Sequence, residues 1–303
     1  MSKLRKGIIL AGGSGTRLLP LTNVVSKQLM PIYDKPMIYY PLSTLMLAGI
    51  RDINIIVTPE NHLGFERLLG DGRNWGIKIS YTKQSEPKGL VEGITLSENF
   101  LNESPVALIL GDNLFHGSSL MRHLRSGDLN KKGATIFAYR VNDPQRYGVL
   151  EFDQNNKVFK IEEKPKNPKS NYVVTGLYFY DSTVVSKAKK IKKSTNGELE
   201  ITSLNEIYLK ENNLNVELMG RGMAWLDTGT HDSLYKASSF IKSLEDRQGL
   251  RVACPEEIAW RRKFISDSQL RDLAKPLMNS GYGNYLIDLI ENPSIDNFYF
   301  KNK

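Results

Sequence analysis

Lys6-Gly7-Ile8-Ile9-Leu10-Ala11 runs straight into Gly12-Gly13-Ser14-Gly15-Thr16-Arg17, an apolar strand-like run that breaks into a glycine-rich turn. Outward from this stretch, residues 53–57, 77–83 and 106–110 repeat the Ile, Val and Leu-rich strand pattern. Helical periodicity occupies 41–48, 62–69 and 90–100 between them. Strand and helix alternating at this spacing predict crossover units around a mostly parallel, buried sheet. Four further strands, at 134–140, 148–152, 158–162 and 172–180, follow with few helices between them and predict antiparallel additions. Helices at 183–191 and 201–211 and a short strand at 224–227 close the core. From His231 the pattern is helical, over 231–246, 267–278 and 282–290. The expected fold is α/β: a Rossmann-like, mixed, mostly parallel central sheet flanked by helices, with a small C-terminal helical subdomain.

The 303 residues suffice for such a domain with additions. No run approaches the roughly 20 apolar residues of a membrane span, so no membrane association is expected. The basic start Met1–Arg5 precedes only four apolar residues before the glycines, too few for a signal peptide. Cys254 stands alone and allows no intrachain disulfide, which suits a reducing compartment, and a cytoplasmic location is expected. The net charge of +8 raises the question of nucleic acid. Its densest cluster, Lys187, Lys189, Lys190, Lys192 and Lys193, lies at a helix end without interleaved aromatics, so a solvated face is expected and no nucleic-acid partner. Steering of polyanionic small molecules explains the same charge.

Glycines 12, 13 and 15 let backbone approach a ligand closely, and successive amides can cradle phosphate oxygens. A Walker A loop would end in Gly-Lys-Ser/Thr, where Thr16-Arg17 stands. The dinucleotide fingerprint would need glycine at Leu18; Asp34 lies where its ribose acid belongs, but Pro20 and Pro31 interrupt the intervening helix. A plain glycine turn is the remaining reading. Arg17 and Lys27, two cations within about ten residues of the loop, suit a triphosphate.

Two aspartates lie at strand ends: Asp112, in Gly111-Asp112-Asn113, and Asp227, in Trp225-Leu226-Asp227-Thr228-Gly229. Each alone reads equally as a turn or helix-capping residue. Together with the loop they fit Mg²⁺ held by carboxylates and substrate phosphates. His62, His116, His123 and His231 show no metal-ligand spacing and are read as structural.

The ordered run Gly13-Ser14-Gly15-Thr16-Arg17-Leu18-Leu19-Pro20-Leu21-Thr22, followed by Lys27 and Pro31, resembles the signature of the sugar nucleotidyltransferase family. The similarity covers nearly the whole chain and is greatest to the bacterial glucose-1-phosphate thymidylyltransferases of the longer type. Residues 26–40, Gly176-Leu177-Tyr178-Phe179-Tyr180, Gly197-Glu198-Leu199-Glu200-Ile201-Thr202, Trp225–His231 and Cys254-Pro255-Glu256-Glu257-Ile258-Ala259 carry it.

The resemblance implies Mg²⁺-assisted transfer of thymidylyl from dTTP to glucose 1-phosphate, giving dTDP-glucose and pyrophosphate. Arg17, Lys27 and Lys164 are then catalytic, and Asp112 and Asp227 hold the metal. Leu10, Gly12, Gly13, Ser14, Gly15, Thr16, Arg17, Gln28, Gln84 and Gly89 bind the nucleotide, Gln84 pairing with the thymine edge. Leu90, Asn113, Tyr147, Gly148, Glu163, Lys164 and Val174 bind the sugar phosphate. Gly220, Arg221, Glu257 and Arg261 match a regulatory site inhibited by a downstream dTDP-sugar, as in dTDP-rhamnose biosynthesis. The resemblance also implies a homotetramer and a division into a core, 1–240, and a regulatory or oligomerisation segment, 241–303. Within the core, about 1–115 bind nucleotide and 116–240 bind sugar. One departure lies near the base: the family commonly reads Gly-Leu-Ala-Gln-Ala where this chain has Gly89-Leu90-Val91-Glu92-Gly93.

The chemistry needs such cations. A sugar phosphate near −2 meeting an α-phosphate near −1 at ~4 Å, with an effective dielectric near 20, is opposed by on the order of 8 kcal/mol. That term is worth roughly a millionfold in rate. No protein nucleophile is required, because the sugar phosphate oxygen attacks once positioned and neutralised. Alternatives are a related transferase using UTP or another sugar, a catalytically silent nucleotide-sugar sensor, and a Rossmann dehydrogenase.

Overall fold

β1 (Lys6–Ala11) alternates its buried side chains between two cores, Ile9 and Ala11 on one face, Ile8 and Leu10 on the other. A strand covered on both faces must lie in the middle of a sheet. The computed structural model describes residues 3–86, 88–129, 132–194 and 197–293. After β1 comes a two-residue ribbon, β2 (Pro31–Ile32) against β3 (Lys35–Pro36), then α1 (Tyr39–Leu47), β4 (Asp52–Val57), α2 (His62–Leu69) and β5 (Lys78–Lys83). α3 (Leu90–Leu96) and α4 (Glu98–Leu101) lead to β6 (Val106–Leu110), β7 (Asn113–His116) and α5 (Leu120–Leu129). β8 (Ala134–Arg140), β9 (Gly148–Phe152), β10 (Val158–Glu163) and β11 (Tyr172–Tyr180) precede α6 (Val184–Ala188) and α7 (Ile201–Lys210). β12 (Leu214–Leu218), β13 (Ala224–Asp227), α8 (His231–Gln248), α9 (Pro255–Arg261), α10 (Asp267–Ala274) and α11 (Tyr282–Glu291) complete the order.

Nine strands form the main sheet in the order β10-β9-β11-β6-β1-β4-β5, with β8 joined to β11 and β12 to β8. β5, β4, β1 and β6 are parallel; β11 reverses direction against β6 and carries the antiparallel additions. From β1 the chain steps to β4 and β5 on one side, then returns to β6 on the other. The crevice at the carboxyl ends of β1 and β6 is therefore a topological switch point, where open α/β sheets bind ligands. β11 pairs Leu177 with Ile109 and, four residues earlier, Val173 with Val149. β9 thus takes the place beside β11 that β6 vacates at its end, and it walls the crevice from above.

The expected mixed, mostly parallel sheet flanked by helices is present, with several local differences. The helix expected over 90–100 breaks at Ser97, whose hydroxyl donates to the Gly93 carbonyl. The helix expected over 267–278 ends at Ala274 and continues as a tighter 3₁₀ turn, because Pro276 has no N–H to donate. β7, α5 and β12 were not expected at all. Leu214-Asn215-Val216-Glu217-Leu218 is an edge strand, with β8 on one side only. Asp34 occupies the β2–β3 turn and pairs with Lys35 and Arg251, so it does not serve a dinucleotide.

The helical tail is part of the main core. Ile258, Trp260, Leu270, Leu286 and Leu289 are buried with Leu42, Leu45 and Ile50 and with the sheet residues Ile9 and Ile109. α8 passes unbroken through residue 240. Trp75, on the 3₁₀ turn before β5, donates its indole N–H to Glu256 Oε1 at 3.1 Å, a buried bond that ties this turn to the tail. Trp75→Phe should destabilise the protein by about 1–3 kcal/mol, the cost of a buried acceptor losing its donor; urea unfolding of the two forms measures it as a lower midpoint at unchanged slope.

Candidate active site

The loop after β1 is closely held at both ends. Gly111 N donates to the Leu10 carbonyl at 2.8 Å, tying the ends of β1 and β6 together. Gly12 is buried against Gln84, and a Cβ there would lie 2.6 Å from Gln84 Oε1. Gly13 and Ser14 are exposed, and Gly15 takes the left-handed conformation, φ 63°, with its carbonyl accepting from Thr22 Oγ1 at 3.0 Å. Thr16 then opens a 3₁₀ turn that carries Arg17. Lys27 and Gln28 are buried on the next 3₁₀ turn, where Ser26 Oγ donates to Gln28 Oε1 at 2.8 Å.

Asp112 follows β6 and pairs with Lys27. Asn113 Nδ2 donates to Asp112 Oδ1 at 2.9 Å, and Asn113 Oδ1 accepts from Gly176 N at 3.1 Å and Trp225 Nε1 at 2.6 Å. Asn113 thereby orients the aspartate and ties it to β11 and β13. β7 and β13 pair antiparallel with Asn113 opposite Asp227, and Thr228 donates to the Asp112 carbonyl from N at 3.2 Å and from Oγ1 at 2.8 Å. This short ribbon brings together two aspartates more than a hundred residues apart in the chain. Burial raises the Asp227 pKa from its ordinary value, and the nearby Asp112 charge raises it further, against Lys27, Arg146 and Arg17. Arg17 does face the site: a Cβ on Gly229 would lie 3.2 Å from Asp227 Oδ1 and 3.4 Å from Arg17 Nη1.

A cavity of about 410 Å³ opens here, lined by Arg17, Asp112, Asp227, Tyr147, Glu163 and Lys164. Leu90, Asn113, Gly148 and Val174 also line it. Glu163 accepts from Thr202 and lies 3.2 Å from the Lys164 ammonium. Lys164 is held at φ 43°, a left-handed conformation costly for a side-chain-bearing residue. Gly148 is fixed by crowding, since a Cβ would sit 3.2 Å from Thr202 Oγ1. Burial and then Asp227 push the Tyr147 phenol up to about 12, so it is neutral at physiological pH. A second cavity, about 550 Å³, lies beyond Lys27 and is lined by Gly12, Gly13 and Ser14. Gly89, φ 106°, precedes α3 and packs on residue 199: a Cβ there would lie 2.5 Å from the backbone N and O of Leu199.

Arg17, Asp112, Glu163, Lys164 and Asp227 thus line the first of these two cavities, and Lys27, paired with Asp112, lines the second. The remaining group lies elsewhere. Glu257 lines a third cavity of about 310 Å³ between α1, α9 and residues 115–120, and it pairs with Arg261 at 2.7 Å. Gly220 and Arg221 sit in the turn before β13; that turn's Gly222 carbonyl would lie 2.6 Å from a Cβ on Gly117, another residue of that cavity. Sequence reasoning missed Arg146, which reaches Asp227 Oδ2 at 3.5 Å and lines the main cavity, and Thr228, the clamp on Asp112. Arg146 directly precedes Tyr147, but its partner depends on a contact across 81 residues.

The donor set suits a hard divalent cation. Among the described residues no group of three or more His, Cys, Asp and Glu gathers, so a cation at this point would draw on the two carboxylates alone from the protein. Their mutual repulsion is the strain a cation relieves, and substrate oxygens can fill the other positions.

The nucleotidyl transferase family model matches residues 6–243. The chain is 54% identical over 286 residues to the glucose-1-phosphate thymidylyltransferase of Neisseria meningitidis, covering 94% of this chain and 99% of that protein. It is 56% identical over 291 residues to that of Xanthomonas campestris, covering 96% and 99%. Among solved structures it superposes with TM-score 0.73 and 41% identity on a Bacillus anthracis protein assigned as a glucose-1-phosphate thymidylyltransferase, crystallised with sucrose; 78% of this chain and 95% of that chain are covered. A UDP-glucose pyrophosphorylase bound to UDP-glucose, at TM-score 0.70 and 24% identity over 80% of this chain and all of that chain, shares the fold. The chain belongs to the nucleotidyl transferase family.

A group with a raised folded-state pKa stabilises the fold below its unfolded pKa and loses that contribution as pH rises through the folded value. Ionised Asp227 is therefore a net cost at neutral pH. Asp227→Asn should raise the thermal midpoint at pH 8 without divalent cation, and the gain should vanish near pH 3, as paired melting curves at the two pH values would show.

Proposed function

We propose that this nucleotidyl transferase moves a thymidylyl group from dTTP to α-D-glucose 1-phosphate, giving dTDP-glucose and pyrophosphate. The observation that carries the proposal is the convergence of Arg17, Lys27, Asp112, Asp227 and the Glu163–Lys164 pair on two adjoining cavities at the switch point. The relatives' names supply the substrates, and the two cavities match two polyanions brought end to end.

The glycine loop, with Leu10, Thr16 and Gln28 in support, receives the triphosphate, and Arg17 and Lys27 offset its charge. Gln84, buried beside Gly12, faces the base edge, with Gly89 beneath it. Lys164 grips the phosphate of the sugar, while Glu163, Tyr147, Asn113, Gly148, Leu90 and Val174 shape the sugar pocket. The sugar phosphate oxygen then attacks the α-phosphorus in line, and pyrophosphate departs on the opposite side. Asp112 and Asp227 would hold Mg²⁺, which when bound would supply charge neutralisation to the phosphates. We further propose a cytoplasmic homotetramer, in which Gly220, Arg221, Glu257 and Arg261 border a regulatory pocket for a dTDP-sugar. The third cavity, remote from the aspartates and walled by Glu257, supports that reading. The division at residue 240 stands as a functional one, core against regulatory segment.

Pyrophosphate release with glucose 1-phosphate and each of four nucleotides, with magnesium or a chelator, tests the reaction. dTTP should turn over fastest, and chelation should abolish release. A clear preference for UTP would retire the thymidine assignment, and dTTP binding without pyrophosphate release would mark a silent sensor. Arg17→Ala should lower kcat by about 10²–10³-fold, the usual loss of one donor to developing charge. Lys164→Ala should instead raise the KM for glucose 1-phosphate, measured at saturating dTTP.

A further inference from the structure

Gln84 follows β5 and is buried, 8% exposed. Its Nε2 donates to Glu92 Oε2 at 2.5 Å, on the first turn of α3. A carboxylate only accepts, so the amide nitrogen must face Glu92 and the carbonyl must face away from it. That carbonyl is directed at the glycine loop, where a Cβ on Gly12 would stand 2.6 Å from Oε1. Only glycine at position 12 lets the acceptor lie this close to the loop. Nε2 carries two hydrogens, and Glu92 takes one.

The orientation matters because pyrimidine edges come in two opposite forms. Thymine and uracil present an N3–H donor beside the O4 acceptor. Cytosine presents an N3 acceptor beside an N4 amino donor. A glutamine amide free to turn over can match either edge; one held in a single orientation matches one and opposes the other. An amide at position 92 could itself donate or accept, and it would tolerate Gln84 both ways.

We propose that Glu92 is a specificity-determining positioning residue: by accepting from Gln84 Nε2 it pins the amide in the orientation that pairs with an imide edge and rejects cytosine. This rests on the reading of Gln84 as the base-facing residue of a thymidylyl transferase. Glu92 does not touch the base; it acts through Gln84.

The test is kcat/KM for dTTP, UTP and dCTP with glucose 1-phosphate and magnesium, on the full chain, for wild type, the near-isosteric Glu92→Gln, and Glu92→Ala. The dTTP-to-dCTP ratio should fall at least tenfold in both variants, through a lower KM for dCTP. The dTTP-to-UTP ratio should hold, because those bases share the imide edge. If Glu92 merely packs α3, all three substrates fall together and the dTTP-to-dCTP ratio is unchanged, which overturns the lock. A poorly folded Glu92→Ala would show as a lower thermal midpoint, and Glu92→Gln then decides alone. A wild type that releases no pyrophosphate from dTTP or UTP overturns the transferase reading itself, a result distinct from an unchanged ratio.

Discussion

The site is organised around a repulsion. Asp112 and Asp227 are held close in a half-buried crevice, and burial with like charge makes the ionised pair unfavourable. The protein nonetheless enforces the approach through a four-residue ribbon, β7 with β13, and through Thr228 on the Asp112 carbonyl. Lys27, Arg146 and Arg17 offset part of the cost. What remains unneutralised is negative charge in a crevice, the kind of charge that a divalent cation would offset.

The sheet makes this arrangement possible. Because β1 sends the chain first toward β5 and later back to β6, two strand ends diverge over the same crevice, and neither loop covers the other. β9 takes up the pairing edge of β11 where β6 ends, so the cavity wall that holds Gly148 is continuous, through β11, with the strand that leads to Asp112. The tail braces the assembly from beneath: α9 packs on α1, with Ile258 and Leu42 in the same core as Ile9 of β1. Residue 240, the expected seam, lies inside α8. The two parts therefore share a helix as well as a core.

What was legible in the sequence was mostly local. The strand-to-glycine turn could be read because six apolar residues and three glycines adjoin, and the parallel half of the sheet because its strands are apolar on both faces. β12 escaped because Leu214-Asn215-Val216-Glu217-Leu218 is short and half polar, as an edge strand is. β7 escaped because Gly111-Asp112-Asn113 reads as a turn, and its strand character comes only from β13. The same pairing carries Asp227 to Arg146 and Thr228 to the Asp112 carbonyl, so the roles of Arg146 and Thr228 could not be read from spacing. Gln84 and Glu92 are only eight residues apart, yet a loop and a helix start separate them, and no periodicity announces their contact.

Lys164 shows what this fold has to sustain. Its backbone lies in a region that favours glycine, at the end of β10 where Tyr147's carbonyl accepts from its N–H at 3.0 Å. Asparagine or glycine would relieve the torsion, and each would delete the ammonium from the crevice. A redesign guided by backbone preference alone would choose such a replacement and return a hardier protein without that charge in the cavity. Any engineering of this scaffold for heat tolerance has to exempt that one residue from its own rules.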